Sequence, residues 1–348
     1  MEVSSRSIGV DDLINHQEFD GPQMSWFSPP GVNETGYGVA AIGTIKALQK
    51  QKVRVLFNAD KPYCAVSFVQ PEYYKFYDHQ LTIGYTPWES TEIPDTWRYF
   101  MNRCGQVWTT STFCKEVFEA SGIEVPVTVV PHGIDPDVWS IEEREIGEKF
   151  RFLHVGGETG RKNPQMVIDA FLDLFDGQTN VELVMKSHGP GLARWRRDDF
   201  WGGRAGNHPQ ITCIEESFED PNDVAALYHS CHALVYPTNG EGFGFIPFQG
   251  IATGMPTICT DATGCKDFAG MSMPLDSQVV PAYGIHLGDW VQPDEDHLRN
   301  LMIEVYEDYN THRKKAMQSA KIIHSTQTWD HIATQIIDLL GDDLLRTV

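Results

Sequence analysis

The chain has 348 residues, 41% of them hydrophobic, and sets 27 Lys and Arg against 48 Asp and Glu for a formal net charge of -21. That length exceeds the usual single core, so two compact units are expected, and the apolar content is ample for both. The negative balance repels phosphate backbones and anionic lipid unless basic residues gather locally, which disfavours nucleic acid as a partner without excluding it.

The opening stretch, MEVSSRSIGVDDLINHQEF, has acids and polar residues where a signal peptide needs an apolar core. No apolar run approaches the ~20 residues that span a bilayer, so a soluble, cytoplasmic protein is expected. The seven cysteines, at 64, 104, 114, 213, 231, 259 and 265, form no CxxC pair and read as packing residues of a reduced compartment.

Short apolar runs alternate with longer helical patterns, which predicts parallel α/β architecture. In the first half, strands are predicted at Met24–Phe27, Val53–Phe57, Leu81–Thr86, Val107–Thr109 and Val127–Val130. Helices are predicted at Gly38–Lys50 and Thr112–Ser121, the second N-capped by Ser111. Pro131-His132-Gly133-Ile134-Asp135-Pro136 breaks the pattern, the acidic stretch Ile141–Glu148 follows, and the boundary is drawn there. Domains are thus expected at 1–148 and 149–329. A second alternation runs through Phe152–Val155, Val181–Lys186, Gln210–Ile214, Ala233–Tyr236 and Pro256–Thr260. The tail, 330–348, carries an amphipathic helix, Asp330–Leu345, able to pack back on either half. Two Rossmann-like, doubly wound domains facing a cleft would bind ligands at the carboxyl ends of their strands.

The motifs fall just after those strands. Residues 156–164 read GGETGRKNP: Gly156 and Gly157 allow a sharp turn, and Arg161 and Lys162 stand where the next helix begins, a place suited to a diphosphate. Residues 239–250 read NGEGFGFIPFQG, a glycine loop leading into a helix that tolerates Pro247 in its first turn. Glu241 lies in that loop and Gln249 roughly one and a half turns into the helix. A carboxylate there can hold sugar hydroxyls bidentately or stabilise positive charge developing on a sugar carbon. In the first half, Pro29-Pro30-Gly31 and Gly36-Tyr37-Gly38 make a third strand–glycine–helix junction, and Tyr85-Thr86-Pro87-Trp88-Glu89 places an aromatic and a carboxylate at a strand end.

Each motif taken alone also has a structural reading: a solvated helix start for Arg161-Lys162, a surface Glu beside a turn, a core Trp88. His229 and His232 are spaced like metal ligands but lack a third, so no metal is assigned. Arg194-Trp195-Arg196-Arg197 and His312-Arg313-Lys314-Lys315 read as solvated faces.

Together these stretches resemble the GT-B glycosyltransferases, and among them the retaining enzymes of glycosyltransferase family 4, over about residues 24–340. The most specific part, YPTNGEGFGFIPFQGIATGMPTICTD, is similar to that family's Glu-x7-Glu segment with its Ala-x-Gly-x-Pro turn; VVPHGID, FLHVGGETGRKNP and DVAALYHSCHALVYPT support it. The resemblance implies a hexosyltransferase-like enzyme with a nucleotide-diphosphate sugar as co-substrate, a UDP- or GDP-sugar first, and neither metal nor other cofactor. The donor would sit mostly in the second domain and a small-molecule, glycan or other hydroxyl acceptor in the first, with anomeric configuration retained.

By the same resemblance Glu241 contacts the donor sugar, and the N–H groups of Gly242, Phe243 and Gly244 lie by sugar and phosphates. Lys162 binds the diphosphate, Gly156, Gly157, Asn163 and Gln249 bind the donor, and Gly36 and Gly38 line the opposite side of the diphosphate; the residues themselves let Arg161 join Lys162 in neutralising the leaving group. Tyr37, Trp88 and Glu89 fall to the acceptor. Three positions depart from the family pattern: Gln249 replaces the second glutamate, Gly157 a phosphate-binding arginine, and the IGYTPWEST segment lacks a histidine, leaving Glu89 for that contact. The first two also admit a sugar-nucleotide-binding protein weakened in turnover, and an acceptor of hydroxylated DNA bases is the other alternative.

Overall fold

The computed structural model describes residues 21–28, 36–156, 160–187, 208–214, 216, 218 and 220–348. The Pro29-Pro30-Gly31 turn, Gly157 and the Arg194–Arg197 run lie outside the described residues.

Buried, two-faced strands such as Cys64–Phe68 and Ala233–Tyr236, in which every residue is buried, dictate parallel sheets covered on both sides. The chain forms two such sheets in two units, the first made of residues up to 135 with 283–288 and 326–348, the second of 136–282 with 289–325.

In the first unit β1 (Gln23–Phe27), α1 (Gly36–Lys50), β2 (Arg54–Phe57), β3 (Cys64–Phe68), β4 (Leu81–Tyr85), α2 (Asp95–Met101), β5 (Gln106–Thr109), α3 (Thr112–Ala120) and β6 (Val127–Val129) follow in order. The strands pair in parallel in the order β2-β1-β3-β4-β5-β6. Ser111 caps α3 as its position suggested, its hydroxyl accepting from Cys114 N. β3 is absent from the sequence reading because Cys, Ala and Ser carry little strand propensity.

The second unit contains β7 (Phe150–Val155), α4 (Pro164–Phe175), β8 (Val181–Lys186), β9 (Ile211–Ile214), α5 (Pro221–His229), β10 (Ala233–Tyr236), α6 (Phe245–Ala252), β11 (Thr257–Thr260), β12 (Met273–Leu275), β13 (Ser277–Pro281), β14 (Asp289–Pro293), α7 (Glu295–Glu307) and α8 (Tyr309–Thr326). Its six-stranded sheet runs β12-β11-β10-β7-β8-β9, every pair parallel. Phe150, Phe152, Phe171, Phe175 and Leu301 belong to one apolar core beside it. β13 and β14 form a separate antiparallel hairpin.

The chain passes between units at Asp135–Pro136, inside the proline-rich junction. The acidic stretch up to residue 148 counts with the second unit, where buried Arg144 donates to Thr253 O at 2.8 Å. The last helix, α9 (Trp329–Leu340), lies in the first unit and packs on α1, where Lys50 pairs with Asp330 and Gln51 donates to Asp330 O. Among the described residues no helix is long and apolar enough to cross a membrane.

Candidate functional site

The second sheet reverses its direction of growth between β7 and β10: the chain builds outward from β7 through β8 to β9, then returns to lay β10 on the other side of β7. At such a switch point the two following loops diverge and leave a crevice at the carboxyl ends of the strands. The loop after β7 carries Arg161 and Lys162; the loop after β10 carries Glu241.

Those loops are tied to each other. Asn163 stands in the left-handed region at φ 47 before Pro164 opens α4, and its side-chain amide donates to Pro237 O at 2.8 Å and to Asn239 Oδ1. Asn239 N donates to Arg161 O at 2.8 Å, and Arg161 Nη1 donates to Gly240 O. Asn163 thus ties the two loops together.

Glu241 is gripped through one oxygen. Its Oε1 accepts from the Tyr236 hydroxyl at 2.7 Å and lies 2.9 Å from Arg161 Nη1, with Thr238 Oγ1 3.4 Å away. Its Oε2 makes no hydrogen bond among the described residues. Burial alone would raise the carboxyl pKa, but Arg161, Lys162 and the Tyr236 hydrogen bond outweigh it and bring Glu241 below the ordinary carboxylate range. The site holds a stable anion.

The loop around it rests on the turn after β11. Glu241 N donates to Thr263 Oγ1 at 3.0 Å, and Gly264 N to Glu241 O at 2.7 Å. Gly244 sits at φ 98, where a Cβ would stand 2.6 Å from Cys265 Sγ. Phe243 is buried, its ring 5.0 Å from Phe248 and 5.7 Å from Phe268, so it anchors the loop through its side chain. Gln249, on α6, is half-buried and its side chain makes no hydrogen bond among the described residues.

Lys162 extends over Gly156, where a Cβ would meet its Cδ at 3.0 Å, and its Nζ lies 5.9 Å from the centre of the Tyr236 ring. Three residues missed by sequence reasoning complete the surroundings. Tyr236 reads only as the end of a buried strand. His154, next to last in β7, donates Nδ1–H to Val235 O at 2.9 Å, stacks on Tyr236, and leaves Nε2 buried without a hydrogen-bond partner among the described residues. Lys186, at the end of β8, is buried and donates to Ser187 O at 2.7 Å. A polar residue near the carboxyl end of a predicted strand is the signal that would have found the last two.

In the first unit Gly36 opens α1 and Gly38 is buried in its first turn. Tyr37 OH bonds Thr86 Oγ1 at 2.8 Å; burial, with a smaller effect of nearby Glu89, raises its pKa. Trp88 is 4% exposed, donates to Glu92 O at 2.7 Å and packs 4.5 Å from Trp97, so it is a core side chain. Glu89 faces His286 Nε2 at 3.3 Å, an imidazole brought from far along the chain to the segment that lacks one. His229 and His232 serve the backbone: His229 donates to Ser140 O, while His232 accepts from Arg151 N and donates to Glu145 O. Among the described residues no cluster of three or more His, Cys, Asp or Glu is placed to hold a metal ion.

Comparison with known proteins identifies a family and a fold. A family described as Family 4 Glycosyltransferase in conflict systems is matched over residues 110–336. O-antigen chain mannosyltransferase B of Escherichia coli is 24% identical over 149 residues, covering 41% of this chain and 37% of that protein, so the chain spans well under two thirds of the relative's length. Sucrose-phosphate synthase from Thermosynechococcus elongatus superposes with a TM-score of 0.70 at 12% identity, covering 92% of this chain and 98% of the other. HepE from Anabaena, solved with UDP and glucose, superposes with a TM-score of 0.69 at 13% identity over 92% of this chain and all (100%) of the other. These two structures share the fold of paired parallel-sheet units.

Proposed function

The chain belongs to family 4 of the glycosyltransferases, in the group described from conflict systems, and on that premise we propose that it moves a sugar from a nucleotide-diphosphate donor to an acceptor hydroxyl with retention and without a metal ion. The observation that carries the reading is the fixed anion Glu241, held by Arg161 and Tyr236 and flanked by Lys162, at the switch point of the second sheet.

Transfer breaks the bond between the anomeric carbon and the diphosphate oxygen, so negative charge grows on the phosphate and positive charge on the sugar. Lys162 meets the first need, with the N–H groups of Gly242 and Gly244 and the start of α6. Glu241 meets the second, its free Oε2 taking a sugar hydroxyl while its charge favours the cationic sugar. Arg161 serves this step through Glu241. The acceptor oxygen attacks from the face the diphosphate leaves, and its proton passes to the departing phosphate oxygen. Tyr37 and Glu89 are assigned to the acceptor. HepE was solved with UDP and glucose, which makes UDP-glucose the first donor to try and GDP-mannose the second.

The test incubates the protein with each donor in EDTA and follows the released sugar by proton NMR. Free nucleotide with a released sugar of the donor's own anomeric configuration supports the proposal. Inversion refutes retention, and turnover that returns only on adding a divalent cation refutes metal independence.

A further inference from the structure

Tyr236 ends β10 with its side chain almost fully enclosed, and its two parts do different things. The hydroxyl donates to Glu241 Oε1 at 2.7 Å. The ring stacks on the imidazole of His154, 6.1 Å away, and has the Lys162 ammonium 5.9 Å from its centre. One side chain therefore touches both the group assigned to the donor sugar and the group assigned to its diphosphate.

We propose, resting on the function above, that Tyr236 is a positioning residue that determines how the donor sugar is read: its hydroxyl occupies Oε1, so Glu241 presents Oε2 alone to a single sugar hydroxyl. A carboxylate otherwise free to turn offers two equivalent oxygens, whereas one locked by a buried hydroxyl and a guanidinium offers one direction. Discrimination between donor sugars at that hydroxyl then depends on a residue that never touches the sugar. The ring, by contrast, supports Lys162 and is indifferent to the sugar.

Among the described residues the titratable and charged groups around Glu241 are few. Arg161 and Lys162 come from the turn after β7, Tyr236 from β10, His154 from β7 behind the tyrosine ring, and the buried Cys265 thiol from the turn after β11. Deleting the tyrosine hydroxyl changes neither charge nor ring packing. Its loss weakens one of the forces that hold the Glu241 pKa down, so that pKa rises.

The experiment uses Tyr236→Phe in the full chain, with 3-fluorotyrosine at 236 as a second variant whose more acidic hydroxyl donates more strongly. Three quantities are read: the Glu241 carboxyl titration by carbon NMR without ligand, kcat/KM for the donor, and the Kd of free nucleoside diphosphate. In the phenylalanine variant the titration midpoint moves to higher pH, kcat/KM falls about 10- to 100-fold as for a charge-assisted hydrogen bond, and the diphosphate Kd stays within about twofold because the ring remains. The fluorinated variant moves the midpoint the other way. A midpoint that ignores both variants overturns the proposal, as does an equal loss of diphosphate and donor affinity, which would make Tyr236 a packing residue. If the wild type binds no sugar nucleotide, the proposed function fails while the ligand-free titration still decides the role of Tyr236.

Discussion

Arg161 Nη1 stands 2.9 Å from Glu241 Oε1, and each side chain is only 12% exposed. Two charges this enclosed do not behave as a surface pair: removing one leaves the other without its main compensation. Arg161→Met is therefore expected to cost about 3–5 kcal/mol in urea unfolding near pH 7.

The pH dependence of that cost has a definite sign. Glu241 is held below its ordinary pKa, so its contribution is fully present above the unfolded carboxylate range and is lost as pH falls through the lower folded value. The gap between wild type and Arg161→Met should be largest at neutral to alkaline pH and close as the pH falls, starting where the uncompensated, buried Glu241 of the variant takes up its proton. A gap that stays open under acid conditions would place its origin elsewhere.

Gly244 offers a different test, because two separate reasons forbid a side chain there. Its φ of 98 lies in left-handed space, and a Cβ would stand 2.6 Å from Cys265 Sγ. Gly244→Ala should lower stability by about 1–3 kcal/mol and weaken donor binding through the displaced loop. Adding Cys265→Ala removes the clash but not the strain, so calorimetric melting should recover part of the loss. Full recovery would show that backbone strain is absent.

His154 couples the site to pH through folding. Burial, and to a smaller extent Lys162, lower its pKa to about 4 against the opposing hydrogen bond to Val235 O. Between the unfolded value near 6.5 and that folded value, the unfolded chain takes up the proton first, so stability falls with falling pH by up to about 1.4 kcal/mol per unit. His132, lowered to about 3 by burial, acts in the same direction. Urea midpoints measured between pH 7 and 5 should show the slope, and His154→Phe should flatten it. An unchanged slope in that variant would mean that His154 is not neutral in the fold.

Much of this site is legible in the chain because glycine, proline and charge mark it. Ala233–Tyr236 is recognisable as a buried strand by four apolar residues followed by Pro237, and the loop behind it by its glycines. The grip on Glu241 is not. Whether Arg161 or Lys162 turns toward the carboxylate depends on the short turn Gly160–Lys162 and on Asn163 at φ 47, which periodicity does not encode. Tyr236 and Glu241 are five positions apart, and their meeting requires the chain to fold back through Thr238. The β13–β14 hairpin is equally silent, since its exposed strand Ser277–Pro281 lacks a buried stripe to alternate. The pairing of Glu89 with His286 joins positions 197 residues apart and had no local mark.

The assignment of a sugar nucleotide to the second unit turns on the Glu241 carboxylate. Calorimetric titration of UDP-, GDP-, ADP- and TDP-sugars into wild type and Glu241→Ala, in EDTA, with free nucleotide followed over time, tests it most directly. One nucleotide class should bind the wild type and be slowly released from its sugar, and this release should vanish in Glu241→Ala. Binding by none of the four, or release undiminished without the carboxylate, would contradict it.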